Sequence, residues 1–205
     1  MRLHPVPFYY LRHGETDWNV ATRAQGHTDV PLNARGRAQA EAARDRLAEI
    51  EIATICASPL DRALTTARIV NERLKRPLVV IDDLKESGFG VMEGETSWEW
   101  FREWRRGAAF EGAETHDGFL ARALSGINQA LAHPGPVLVV AHGGVYWAVQ
   151  RFAPLLEHRH LPNAVPVWHA PPPEGAEHWS AEALIEHPLT PTLSTARGGE
   201  GIQSR

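Results

Sequence analysis

Residues 137–141, Val-Leu-Val-Val-Ala, form a continuous apolar run between Pro134-Gly135-Pro136 and His142-Gly143-Gly144. A short, largely β-branched run without polar alternation predicts a strand covered on both faces. Such a strand needs helices above and below it, and the rest of the chain supplies them in alternation. VPFYYL at 6–11 reads as a first strand. IATICA at 52–57, closed by Ser58-Pro59, reads as a second, and LVVI at 78–81 as a third. VPVWH at 165–169 is a last, weaker strand, because Pro166 has no N–H to give to a ladder. Between the strands, Asn33 offers an N-cap to a helix through Ala38, Ala42, Ala43, Leu47 and Ile50. Leu60, Ala63, Ala67, Val70 and Leu74 mark a second helix, ended by Pro77. Phe119, Ala123, Ile127 and Leu131 mark a third, and Tyr146, Trp147, Val149 and Phe152 a fourth. The expectation is an α/β fold: a three-layer α/β/α sandwich around a mostly parallel sheet.

Composition removes several other classes. A chain of 205 residues, 43% hydrophobic and 22% charged, has enough apolar material for a core. Its formal net charge of −4 argues against a nucleic-acid-binding protein defined by a basic excess. The single cysteine, Cys56, cannot form an intrachain disulfide. No run is long and apolar enough to span a bilayer, and the N-terminus does not read as a signal peptide. A cytoplasmic protein with no membrane partner is the expectation. Half of the last twenty residues are Pro, Gly, Ser or Thr. Residues 1–185 are therefore expected to form one domain and 186–205 a flexible tail.

Open α/β sheets bind ligands outside the carboxyl ends of their strands. That rule selects Arg12-His13-Gly14, the segment from Ser58 to Arg62, and His142-Gly143. An isolated Arg-His-Gly fits an ordinary loop histidine equally well. The neighbouring segments change the balance. Arg62 falls in the first turn of a helix, where the dipole favours anions, so a cation there calls for a bound anion or a carboxylate. His142 follows the most buried strand. Leu84 to Gly90 and Glu93-Gly94 bring carboxylates in a glycine-rich loop. Two histidines, two arginines and a carboxylate suit phosphoryl transfer, which is mostly positioning and charge neutralisation. The glycine of Arg-His-Gly would let backbone approach the phosphate closely.

The stretches RHGETDWN, SPLDRALTTA, E-x-x-F-G-x-x-E-G from Glu86 and AHGG occur in one order along residues 7–169. In this the chain resembles the histidine phosphatase superfamily, the phosphoglycerate-mutase-like group. The resemblance implies His13 as the nucleophile that becomes phosphohistidine and Glu86 as proton donor. It implies that Arg12, Arg62 and His142 bind phosphate oxygens, His142 adding positive charge if protonated. Asn19 would donate to the phosphoryl group, and the backbone of Gly143 would adjoin it. Glu15 and Ser58 take supporting roles. The scheme needs no metal or other cofactor; of the eleven histidines only His158-Arg159-His160 holds a close pair, without zinc-like spacing.

Three functions fit: a phosphatase releasing phosphate from small monoesters, a phosphoglycerate-type phosphomutase, and a catalytically silent phospho-ligand binding module. About fifty residues separate Glu86 from the 137–141 strand, less than in full-length mutases, which favours hydrolysis. The charged set is complete, which disfavours the silent module. The partner is a small phosphorylated molecule, and the oligomeric state is open, a homodimer among the options. WEWFREWRR at 98–106 reads as a helix packing aromatic bulk and, without conflict, as a cap over the cleft.

Overall fold

A computed structural model describes residues 2–156 and 161–185. Six strands form one sheet: β1 (Phe8–Arg12), β2 (Thr54–Ala57), β3 (Leu78–Val80), β4 (Val137–Ala141), β5 (Val167–Ala170) and β6 (Ser180–Ala183). Their order is β3-β2-β4-β1-β5-β6. β3, β2, β4 and β1 run parallel, and β5 and β6 complete one edge antiparallel. The helices are α1 (Asp17–Val20), α2 (Ala34–Leu47), α3 (Asp61–Leu74), α4 (Glu99–Arg105), α5 (His116–Leu131) and α6 (Gly143–Phe152).

The pleat of the central strands sorts the core into two halves. Phe8 and Tyr10 of β1, with Val137 and Val139 of β4, join residues of α4, α5 and α6 in one cluster. Tyr9 and Leu11, with Leu138 and Val140, join α2 and α3 in the other. This is the expected three-layer sandwich, with every residue of β4 buried. Asn33 caps α2, accepting the Gly36 N–H at 2.8 Å, as its position predicts.

Two sequence expectations need correction. Ala38 is exposed, and α2 buries Gly36, Ala40, Ala43 and Leu47 instead. Alanines occur on every side of this helix, so their spacing does not fix its phase. The close approach of Gly14 to Gly36 does: a Cβ on either glycine would collide with the other segment's backbone. Gly14 therefore serves helix packing, and its bare Cα faces α2. β6 is the second difference. Ser-Ala-Glu-Ala carries little β propensity, and it is held as an edge strand by its ladder to β5. The tail 186–205 and the His158–His160 pair lie outside the described residues. Among those described, no helix is long and apolar enough to cross a membrane.

His169 of β5 stacks on Phe8, ring centroids 4.9 Å apart at 12°, and its Nε2 lies 3.2 Å from the Tyr146 hydroxyl. Burial pushes its pKa from 6.5 down to about 4. The unfolded chain therefore takes up a proton below pH 6.5 that the folded chain refuses. Stability from this group is complete above pH 6.5 and is lost as pH falls towards 4. A shift of this size corresponds to about 3 kcal/mol. Substituting His169→Phe should flatten urea-denaturation stability between pH 6.5 and 4 by up to that amount. An unchanged slope would assign the acid sensitivity elsewhere.

Candidate active site

β1, β2 and β4 end side by side, so their carboxyl ends deliver Arg12-His13, Ser58 and His142 to one edge of the sheet. Arg62 enters from the first turn of α3, and Gly143 opens α6. A cleft with about 380 Å³ of empty volume, open mouth included, lies there. Arg12, His13, Asn19, Arg62, Glu86 and Gly143 all line it. His142 lies one layer deeper, fully buried, its ring 5.2 Å from that of His13.

The protonation pattern follows from the hydrogen bonds. His13 Nδ1 is 2.7 Å from the Gly14 carbonyl, which can only accept, so Nδ1 carries the proton. Burial first, then the cations of Arg62 and Arg12, hold the His13 pKa well below 6.5. The ring is neutral, and Nε2 keeps its lone pair. His142 is likewise held well below 6.5, by burial and then by Arg62, His13 and Arg12. Burial and two neighbouring guanidinium groups disfavour a third cation, so the condition of a protonated His142 is not met here. Its Nε2 is 2.8 Å from Ser58 Oγ, which also accepts the Leu60 N–H at 3.3 Å. The Ser58 hydroxyl can donate to Nε2 or accept from it, and Nδ1 is buried with no partner among the described residues.

The two arginines are unusually bare. Arg62 is 1% exposed and donates to the Gly26 and Thr28 carbonyls at 2.8 and 3.1 Å. Arg12 donates to the Leu161 carbonyl at 3.1 Å. Both Nε atoms are buried, with no partner among the described residues. Among the described residues, the only carboxylate ion-paired with either is that of Asp29, 3.9 Å from Arg62 and half exposed. Burial lowers both guanidinium pKa values, with Glu86 opposing the shift. Buried charges are normally paired, so the cluster is suited to receive an anion.

Asn19 presents the same logic on a smaller scale. Its Oδ1 accepts the Thr16 N–H at 3.1 Å and an Asn163 amide N–H at 3.3 Å. That leaves the Asn19 amide N–H bonds facing the cleft. Glu86 Oε2 accepts the Gly144 N–H at 2.8 Å and Oε1 the Ser87 N–H at 3.0 Å. Any side chain at position 144 would collide with that carboxylate, which explains the second glycine of His-Gly-Gly.

The remaining residues sort differently from expectation. Glu15 turns away from the cleft: its side chain accepts from Asn33 at 3.2 Å and its carbonyl from the Asn33 N–H at 3.0 Å. It ties the catalytic loop to α2. Trp100 and Trp104 are buried in the core, whereas Trp98 is 41% exposed and lines the cleft. The Trp98 indole is fixed by donating to the Thr22 carbonyl at 2.9 Å. Of residues 98–106, Trp98 alone is among the cleft-lining residues, while Trp100 and Trp104 pack in the core. Arg23, Gln25 and Phe89 also line the cleft and were not singled out in the sequence. Asn163, which donates to the His13 carbonyl at 2.9 Å, was missed because it lies 150 positions away in the chain. Thr66 was missed too; its Oγ1 accepts the Gly14 N–H at 3.0 Å and donates to the Arg62 carbonyl at 2.7 Å.

A largely parallel α/β sheet whose strand ends hold a neutral imidazole between two guanidiniums suits a protein that handles phosphate. The chain belongs to the histidine phosphatase superfamily, branch 1, whose family model matches residues 8–164. It is 39% identical over 142 residues to the uncharacterized phosphatase PhoE of Bacillus subtilis, covering 68% of this chain and 72% of that one. It is 32% identical over 157 residues to a glucosyl-3-phosphoglycerate phosphatase of Mycolicibacterium vanbaalenii, covering 68% and 70%. A probable phosphoglycerate mutase of Proteus mirabilis, GpmB, is 40% identical over 85 residues, which is 42% of this chain and 40% of that one. Among solved structures, a mycobacterial glucosyl-3-phosphoglycerate phosphatase in complex with VO3 superposes with a TM-score of 0.70 at 27% identity, covering 86% of this chain and 97% of that one.

Proposed function

We propose that the protein is a phosphatase that hydrolyses small phosphate monoesters through a phosphohistidine intermediate on His13. Nε2 of His13 attacks phosphorus while the ester oxygen departs, and the Glu86 carboxyl gives that oxygen its proton. Glu86, now a carboxylate, takes a proton from water as the water attacks the phosphohistidine, releasing inorganic phosphate and restoring His13. Arg12, Arg62, the Asn19 amide and His142 stabilise the equatorial oxygens. The step needs no metal.

One observation carries this reading: a buried Arg62 and a part-buried Arg12, whose one ion pair among the described residues is the 3.9 Å contact of Arg62 with half-exposed Asp29, flank an imidazole whose proton is already tied to the Gly14 carbonyl. Hydrolysis is favoured over transfer to a second substrate position because the relatives matched across two thirds of the chain are named phosphatases, whereas the named mutase matches only 42% of it. Rapid quenching with a radiolabelled phosphomonoester should trap acid-labile phosphate on His13. Inorganic phosphate should accumulate with EDTA present at an undiminished rate. Given 3-phosphoglycerate and a trace of 2,3-bisphosphoglycerate, the protein should release phosphate. Formation of 2-phosphoglycerate instead would establish a mutase, and absence of any phosphoenzyme would leave only a binding module.

A further inference from the structure

We infer that Arg122, on α5, is a positioning residue for the reaction: its guanidinium fixes the backbone that aims the Glu86 carboxyl. The inference rests on the reading of Glu86 as proton donor. Residues 85–89 lie between two single-turn 3-10 helices, Asp82–Leu84 and Gly90–Met92, so no sheet or helix ladder sets the position of Glu86. Arg122 supplies the missing constraint. Its Nη1 donates to the carbonyls of Asp83 and Lys85, each at 3.0 Å. Its Nη2 donates to the Glu86 carbonyl at 3.0 Å and to Glu114 Oε2 at 2.6 Å, and its Nε donates to Glu114 Oε1 at 2.7 Å.

All five N–H bonds of the guanidinium are thereby used, three of them on the four residues that end at Glu86. Glu114 closes the clamp on the other side by accepting the Gly88 N–H at 2.9 Å. Burial opposes charge on Glu114, but the Arg122 and Gly88 hydrogen bonds outweigh it, and its pKa lies below the usual carboxylate value. The ion pair is therefore intact at neutral pH. His27 adds a second donor to the Glu86 carbonyl, its Nε2 at 2.9 Å. The backbone of Glu86 is thus gripped by groups that never touch the cleft themselves, while its carboxyl reaches in.

Lysine at 122 would keep the charge opposite Glu114 but not a planar fork reaching three carbonyls. The test compares kcat/KM for an alkyl phosphate, glycerol phosphate, with that for 4-nitrophenyl phosphate, whose leaving group needs no proton. Displacing a proton donor by about 1 Å costs on the order of 10²-fold, so Arg122→Lys should lose about that much on the alkyl ester. The nitrophenyl ester should lose far less, with the thermal midpoint little changed. Glu86→Gln should show the same selectivity, and the double variant should add no further selectivity, since Arg122 acts only through Glu86. Glu114→Gln, which loosens the clamp while keeping a hydrogen-bonding side chain, should give a milder version and serves if Arg122→Lys does not fold. Equal losses on both esters in Arg122→Lys or Glu114→Gln, or a double variant that multiplies the two selectivities, would overturn the inference. An unselective Glu86→Gln would instead show that the proton-donor reading itself is wrong, and the positioning role would fall with it.

Discussion

His13→Ala is expected to lose on the order of 10⁴–10⁶ in kcat, the scale seen when the nucleophile of a covalent mechanism is removed. The loss should be the same for alkyl and aryl phosphates. This separates the nucleophile from Glu86, because an imidazole that forms the bond to phosphorus is needed however good the leaving group is. A donor of protons is needed only when the leaving group is poor. Phosphate binding should survive in the variant, since Arg12, Arg62 and Asn19 remain. A competition assay with vanadate or inorganic phosphate, next to rapid-quench trapping, checks both halves. Residual turnover close to wild type would end the phosphohistidine mechanism. The ring is nearly buried and Nδ1 is bound to the Gly14 carbonyl, so circular dichroism should confirm that the variant is folded.

The parts of this site that were legible in the sequence are those that follow directly from a strand. Arg12, His13 and His142 stand where two parallel strands stop, and strands reveal themselves by composition and period. Arg62 was legible as a cation out of place at a helix N-terminus. Its partners were not, because the Gly26 and Thr28 carbonyls belong to a loop more than thirty positions away, and backbone acceptors carry no side-chain signature. Glu93 belongs to the same hidden layer. Its carboxylate accepts the backbone N–H groups of His27 and Thr28 at 2.8 and 2.7 Å, fixing the loop that grips Arg62. Asn163 and Thr66 escaped for the same reason, being ordinary residues made important only by chain return. The phase of α2 escaped because alanine spacing is ambiguous, and the two-glycine contact that decides it joins distant segments. The antiparallel edge escaped because β6 is held by its backbone ladder rather than by apolar side chains. Local period thus reads out the layers, while the constraints that aim each functional group are non-local and mostly backbone-borne.

The second large effect concerns Arg62. Its guanidinium is 1% exposed, with two backbone acceptors, an Nε that has no partner among the described residues and the Asp29 carboxylate at 3.9 Å. Removing it has two opposed consequences for stability. The Gly26 and Thr28 carbonyls lose donors, a cost of about 1–3 kcal/mol for a buried polar group left unsatisfied. Against that, a desolvated cation whose one ion pair is the 3.9 Å contact with half-exposed Asp29 no longer has to be buried, which offsets several kcal/mol on the same scale. Arg62→Met, which fills much of the same volume, is therefore expected to change the unliganded Tm little. Its effect on chemistry should be large: removing an arginine that stabilises transferring phosphoryl oxygens costs about 10³-fold or more. The coupling between these two facts is testable without turnover. Phosphate at a hundred times its dissociation constant stabilises the wild type by about 2.7 kcal/mol. For a chain of this size that is a rise on the order of 5–10 °C in Tm. In Arg62→Met the same phosphate concentration should raise Tm hardly at all, because the anion loses the cation that its binding neutralises. A variant that melted far lower yet kept the full phosphate-induced rise would mean that Arg62 holds the fold together and that the anion is bound elsewhere.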